Sequence, residues 1–431
     1  MTASLVRLAR PVAAYLSFFG DILEARMEST SRACWRPIAT GGAAVCAMLA
    51  LVWFAPAGRA ARTVSPVPVR IVRVPNGGIQ PQIAMDAAGV LHMVYFRGPA
   101  AHGDLYYVRS SDGGATFSAP IQVNSHAGSA IATGNIRGAH LALGRNGWVY
   151  VAWNSTYEVD RPGVTKPWMK QPMLFARLND AGTAFEPERN LIQAAYGLNG
   201  GGAIAADRAG NVYVFWHAPA PGTEGEGNRR VWVARSSDDG RTFAPEKPAF
   251  DQLTGACGCC GMNALADRQG NLYVLYRSAT AQVHRDMYLL YSGDCGQTFR
   301  GADISQWNIG ACTMSMESLS ESPAGILAAW ETMGNVWFGT VNPSTGQIAA
   351  PVAIPGEARS RKYPSIARNS RGETLVAWAE GMSWGKGGSA AWRIFDDRGD
   401  AEGPEGRADG VPAWSLVAAI ARPDGGFTLV Y

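Results

Sequence analysis

Four cysteines stand in two short stretches, Cys257-Gly258-Cys259-Cys260-Gly261-Met262 and Cys312-Thr313-Met314-Ser315-Met316-Glu317. Thiols at this density pair as disulfides in an oxidising compartment, or hold a soft cation such as Cu(I) as thiolates beside thioethers. The first reading pairs Cys257 with Cys312 and leaves either a Cys259–Cys260 bridge or one free thiol, with no cofactor. The second makes copper the cofactor. The spacing lacks the two separated pairs of a structural zinc site. A second set of residues suits a sugar or an anion. Arg97, Arg137, Arg277 and Arg361 offer forked donors for a carboxylate. Glu331 and Glu380, with Glu317, offer carboxyl groups for acid–base work at a glycosidic bond. His140, Asn154 and His217 add hydrogen-bonding groups, and Trp414 adds an aromatic face for a sugar ring. These residues are scattered along the chain, so they do chemistry only where a fold gathers them.

A repeat does the gathering. Gly-turn-then-apolar-strand units ending in an aromatic residue begin at Gly89, Gly147, Gly210, Gly270, Gly325, Gly372 and Gly425. A short strand precedes each, as in Pro81-Gln82-Ile83-Ala84-Met85. A second phrase follows an alternating run: Ser110-Ser111-Asp112-Gly113-Gly114-Ala115-Thr116-Phe117 returns as Ser236-Ser237-Asp238-Asp239-Gly240-Arg241-Thr242-Phe243, and more loosely at Ser292–Phe299 and Asn179–Phe185. Asp bonds the backbone of its own turn and Gly supplies positive φ, so the phrase reads as a β-hairpin turn. Four antiparallel strands per unit, repeated, predict an all-β propeller of seven blades, with six as the alternative. The last unit stops after its second strand at Tyr431, and the extra strand Val67–Val74 is expected to close it, hiding two sheet edges. In this arrangement the ends of each second strand and the starts of each first strand share one face. That face collects Arg97, Arg137, His140, Asn154, His217, Arg277, Glu331, Arg361, Tyr363, Glu380 and Trp414, with the cysteine stretches on neighbouring blades.

The recurring Asp phrase resembles the Asp box of the sialidases and related BNR-repeat proteins, and the cysteine pattern is similar to that of exported bacterial members of this superfamily with no activity attached to it. The resemblance implies a sialidase-like propeller. It also implies an arginine triad for a substrate carboxylate, drawn here from Arg97, Arg137, Arg277 and Arg361, and a tyrosine nucleophile activated by a glutamate. Trp414-Ser415-Leu416 stands where the family has Tyr-Ser-x-Leu, with Trp in the tyrosine's place, and Tyr363 is the candidate substitute beside Glu331 and Glu380. The family's Arg-Ile-Pro opening is replaced by Arg73-Val74-Pro75.

The first 62 residues are of another kind. Arg32 and Arg36 precede a mostly apolar run from Ile38 to Pro56 and a small-residue exit, Ala57-Gly58-Arg59-Ala60-Ala61. This order predicts a cleaved signal peptide, with Met27 as an alternative start, and hence a secreted or periplasmic protein with no stable membrane span. The chain carries 38 basic and 35 acidic residues. The surplus lies before residue 62, and no basic stripe remains for nucleic acid. Residues 63–431 are then expected to form one propeller, acting as a monomer on a glycan or small anionic ligand. It would serve as an exo-glycosidase of sialidase type, as a non-catalytic binding module, or as a copper or redox protein.

Overall fold

In a computed structural model, residues 67–357 and 360–431 are described. The signal-peptide expectation falls on residues outside this range. The described chain builds seven sheets, six of them wholly antiparallel, numbered as blades 1 to 7 along the chain from Ile79 onward. Blade 1 comprises Ile79–Met85, Leu91–Arg97, Asp104–Ser110 and Ile121–Gln122; blade 4 comprises Met262–Ala266, Leu272–Arg277, Met287–Ser292 and Arg300–Ser305; the others follow the same order. Blade 7 has three strands: Ala418–Ala421, Phe427–Val430 and, outside them, the early strand Val69–Val72. This early strand runs parallel to Phe427–Val430, with Val69 opposite Phe427 and Val72 opposite Val430. It closes the ring as the sequence suggested, hydrogen-bonding the last strand and extending to Val74 N–H on Tyr431 O at 3.0 Å.

The second strand of each blade is buried on both faces, which explains why it reads as a continuous apolar run rather than an alternation. Tyr213 and Phe215 pack toward blade 4, whereas Val212, Val214 and Trp216 pack toward blade 2. A period of two thus assigns successive side chains to successive neighbours. The core is divided among seven clusters, one for each pair of adjacent blades, including the blade 7–blade 1 pair through Val430, Leu91 and Met93.

The Asp phrases fold as expected. Asp112 Oδ1 accepts from the Thr116 N–H at 2.9 Å and Oδ2 accepts from the Thr116 hydroxyl at 2.6 Å. Asp238 and Asp294 repeat both bonds at the same distances. Hydrogen bonding drives all three carboxyls below their usual range, and Asp238, where slight burial opposes it, still falls to about 2. Where Gly113 has φ of 67°, Asp239 and Cys295 adopt 60° and 56°.

Candidate ligand face and the buried layer beneath it

The polar residues at the ends of the second strands do converge on one face, and most of them are buried. Asn154, His217 and Arg277 reach over to the loop leading into the next blade, and Glu331 braces the turn that meets that loop. Asn154 Nδ2 donates to Gly200 O at 2.6 Å. His217 Nε2 lies 3.2 Å from Cys260 O. Arg277 donates from Nε to Ser315 Oγ at 3.0 Å and from Nη1 to Arg285 O at 2.7 Å. Glu331 Oε1 accepts from Gly334 N–H at 3.0 Å, and Gly334 O accepts from Arg361 N–H at 3.1 Å. The repeat therefore creates a repeated inter-blade clamp, because a strand end and a neighbour's lead-in loop each carry backbone groups that burial obliges to be paired.

The electrostatics follow from that burial. His140 and His217 are held at about 4 and about 3, chiefly by burial and, at His217, also by Arg229. Both are neutral at physiological pH. Burial raises Glu331 against the pull of Arg277 and Lys362, and its Oε2 has no hydrogen-bond partner. Arg277 Nη2 stands 4.0 Å from that oxygen. Glu380 is the opposite case. Burial works against its charge, but hydrogen bonds from Trp378 Nε1 at 2.8 Å and Arg407 Nη1 at 2.6 Å outweigh it and lower its pKa. Arg361, 3.5 Å from Glu380, also donates to Asn335 Oδ1 and Ile354 O. Glu380 and Arg361 are thus spent on each other. Burial raises Tyr363, with Cys260 and Glu331 adding to the effect.

A cavity of about 470 Å³ follows the propeller axis, lined by Gln82, Asn263, Glu317, Glu321, Tyr363 and Leu416 among others. Glu317 is fully buried and neither carboxyl oxygen has a hydrogen-bond partner. Burial first, and then nearby Cys260, raise it well above the ordinary carboxylate range, with Arg277 opposing. The end of the axis nearest Glu317 and Tyr363 is capped by tight loop packing. Gln80 Nε2 donates to Ala132 O and Trp414 O, both at 2.7 Å, and Gly261 N–H donates to Ser315 O at 2.9 Å. A Cβ on Gly201 would sit 2.1 Å from Ile136 O. Gln80 and Tyr363, each at a bulge leading into a first strand, and Trp414 at the lead-in to blade 7 have φ between 52° and 64°. Bulges and left-handed residues re-aim side chains at a strand start.

On this face Trp384 and Arg97 are exposed, and Arg137 and Trp414 are half-buried. Trp384, in the loop between the second and third strands of blade 6, is 64% exposed. It meets half-buried Trp414 edge-to-face at 4.8 Å. Arg137 is fixed by Asn199, from Nε to the carbonyl at 2.6 Å and from Nη2 to Oδ1 at 2.8 Å. A Cβ on Gly134 would touch both Arg137 Nη1 (3.6 Å) and Trp384 (3.8 Å), so both side chains lie against this glycine. Arg97 is exposed at the end of its strand. Asn199 carried no sequence signal, because its role depends on packing between loops of neighbouring blades.

The cysteine stretches do come together, with one correction to the expected pairing. Cys259, not Cys257, is bonded to Cys312, and Cys257, Cys260 and Cys295 are free thiols. Cys257 and Cys260 point inward from the lead-in loop of blade 4 and are buried, whereas Cys312 is exposed and Cys259 half-buried. The two flanking loops are bound to each other over this loop: Arg285 Nη2 pairs with Glu226 Oε2 at 2.6 Å, and Glu226 Oε1 accepts from Gly258 N–H at 2.5 Å.

No family model and no curated protein matches the chain. Solved structures do. A protein of unknown function from Dyadobacter fermentans is 15% identical, with TM-score 0.52 over 76% of this chain and 96% of that one. An α-L-arabinofuranosidase of Fusarium graminearum, solved with an iminosugar inhibitor, is 10% identical, with TM-score 0.51 over 74% and 93%. A sialidase of Streptococcus pneumoniae is 11% identical, with TM-score 0.47 over 74% and 67%. The fold is a seven-bladed β-propeller. At these identities the likeness is one of fold.

Proposed function

We propose that this is an exported glycan-binding propeller that holds a sugar on the Trp384–Trp414 wall with its acidic group on Arg137. The observation that carries the reading is the exposed indole of Trp384, braced by Trp414 at 4.8 Å, beside a guanidinium already fixed by Asn199. An aromatic face stacks on the C–H face of a sugar ring, and a pre-ordered guanidinium binds a carboxylate at low entropic cost. Binding is favoured over turnover because Glu331, Glu380 and Tyr363 are buried and Glu380 is held by two arginines. A glycosidase needs two carboxyl groups flanking one accessible bond. The fold of the Fusarium arabinofuranosidase fits a sugar ligand without deciding which one.

The test is a glycan array probed with the wild-type protein and with Trp384→Ala. Retention of acidic glycans by the wild type, lost in a variant with an unchanged melting curve, supports the reading. Equal retention by both proteins, or retention of nothing by the wild type, overturns it.

A further inference from the structure

The sulfur cluster plays no part in the glycan wall, and its geometry exceeds what a staple requires. Cys257 Sγ lies 3.4 Å from Cys259 Sγ and 3.1 Å from Cys260 Sγ. With the Cys259–Cys312 bond, four sulfurs form a continuous chain from exposed Cys312 to buried Cys260. The inner end is built to hold a thiolate. Cys260 Sγ is 3.0 Å from the Thr313 hydroxyl and 3.7 Å from the Ser315 hydroxyl. Burial alone would favour its thiol, but the hydrogen bond with Cys257 and the charge of Arg277 outweigh burial and lower the Cys260 pKa. The hydrogen bond with Cys260 and burial push Cys257 up, with the Arg285 charge opposing. Arg285 is buried and pairs through Nη2 with Glu226, but its Nε and Nη1 have no hydrogen-bond partner, so two of its donor nitrogens remain for a thiolate at Cys257. A proton shared over 3.1 Å makes either sulfur the nucleophile.

We propose that Cys257, Cys259, Cys260 and Cys312 form a thiol–disulfide exchange site that moves a disulfide between the exposed Cys259–Cys312 position and the buried Cys257–Cys260 position. Cys257 passes its proton to Cys260 and attacks Cys259 Sγ. The Cys257–Cys259 bond forms, the Cys259–Cys312 bond breaks, and Cys312 leaves as a thiolate that takes a proton from water. Cys260 gives its proton to solvent and attacks Cys257 Sγ. The Cys257–Cys260 bond forms and Cys259 leaves as a thiolate protonated in turn. One thiol, one thiolate and one disulfide enter, two thiols and one disulfide leave with one proton drawn from solvent, and no oxidant is consumed. Exchange rates depend on thiolate content and access, and the cluster supplies the first inside and the second at Cys312. The exposed dithiol so released is the form that would meet an external thiol or disulfide.

The experiment equilibrates the full protein in glutathione buffers from reducing to oxidising and traps free thiols with a heavy alkylating reagent. The protein is then reduced, labelled with the light reagent and read residue by residue by tandem mass spectrometry. The expected result is a population carrying heavy label on Cys259 and Cys312 and light label on Cys257 and Cys260. In Cys260→Ser that population disappears and Cys312 labelling slows by about tenfold or more. If the variant does not fold, the wild-type label pattern decides alone. Heavy label on Cys257 and Cys260 at every buffer ratio overturns the proposal. Protection of these two thiols that vanishes on adding a Cu(I) chelator overturns it as well, in favour of a soft-metal site.

Discussion

Replacing Glu317 by Gln tests the buried layer at its most exposed point of logic. The carboxyl is fully buried, both oxygens lack partners, and its pKa lies well above the ordinary range. In the unfolded chain it ionises above about pH 4.3. The folded state therefore binds a proton that the unfolded state has released, and stability falls as pH rises. The slope is about 1.4 kcal/mol per pH unit for as long as the folded carboxyl keeps its proton. Between pH 5 and pH 7 a carboxyl that keeps its proton throughout gives roughly 2.5 kcal/mol. Gln is neutral at every pH and of similar shape, so Glu317→Gln lacks this slope. Urea denaturation of both proteins at pH 5, 6 and 7 should show the variant gaining on the wild type by about that amount, with little change in m-value. Parallel pH profiles would refute the reasoning, since they would mean that the folded carboxyl ionises normally.

Glu380→Gln removes the buried carboxylate shared by Arg361 and Arg407, leaving Arg361 only Glu405 at 3.5 Å, and should destabilise the protein by about 3 kcal/mol in the same assay; a loss under 1 kcal/mol would contradict the pairing. Asp238→Ala removes a turn carboxylate and should lower stability by about 1–2 kcal/mol at neutral pH. Because the Asp238 pKa is depressed to about 2, that stabilisation is present above the unfolded value near 4 and fades as pH falls toward 2, where variant and wild type should converge. Gly201→Ala drives a Cβ into Ile136 O and should lower the melting temperature, whereas Gly182→Ala, with nothing within 4 Å and φ of 67°, should cost only backbone strain.

The fold was legible because its signals are local and repeated. A Gly turn, an apolar second strand and an Asp turn recur in register, and the closure by Val69–Val72 follows from one surplus strand and one short unit. The converging face was legible for the same reason. What remained hidden was depth. Arg277, Arg361, Glu331 and Glu380 carry the residue types of a ligand ring, and sequence shows the type but not the lead-in loop that covers each one. The place of Trp384 on this face depends on Trp414 and Gly134 from other blades. The cysteines were placed together correctly and paired wrongly, because Cys257, Cys259 and Cys260 are so close in the chain that only the direction of each side chain separates them.

The most direct test of the central claim is a tryptophan-fluorescence titration with a carboxylate-bearing oligosaccharide and its neutral methyl ester, on wild type, Trp384→Ala and Arg137→Gln. Wild type should bind the acid more tightly than the ester, Arg137→Gln should bind the two alike, and Trp384→Ala should lose the signal and the affinity together. Wild-type binding that ignores the carboxylate, or survives intact in both variants, would contradict a ligand site built on Trp384, Trp414 and Arg137.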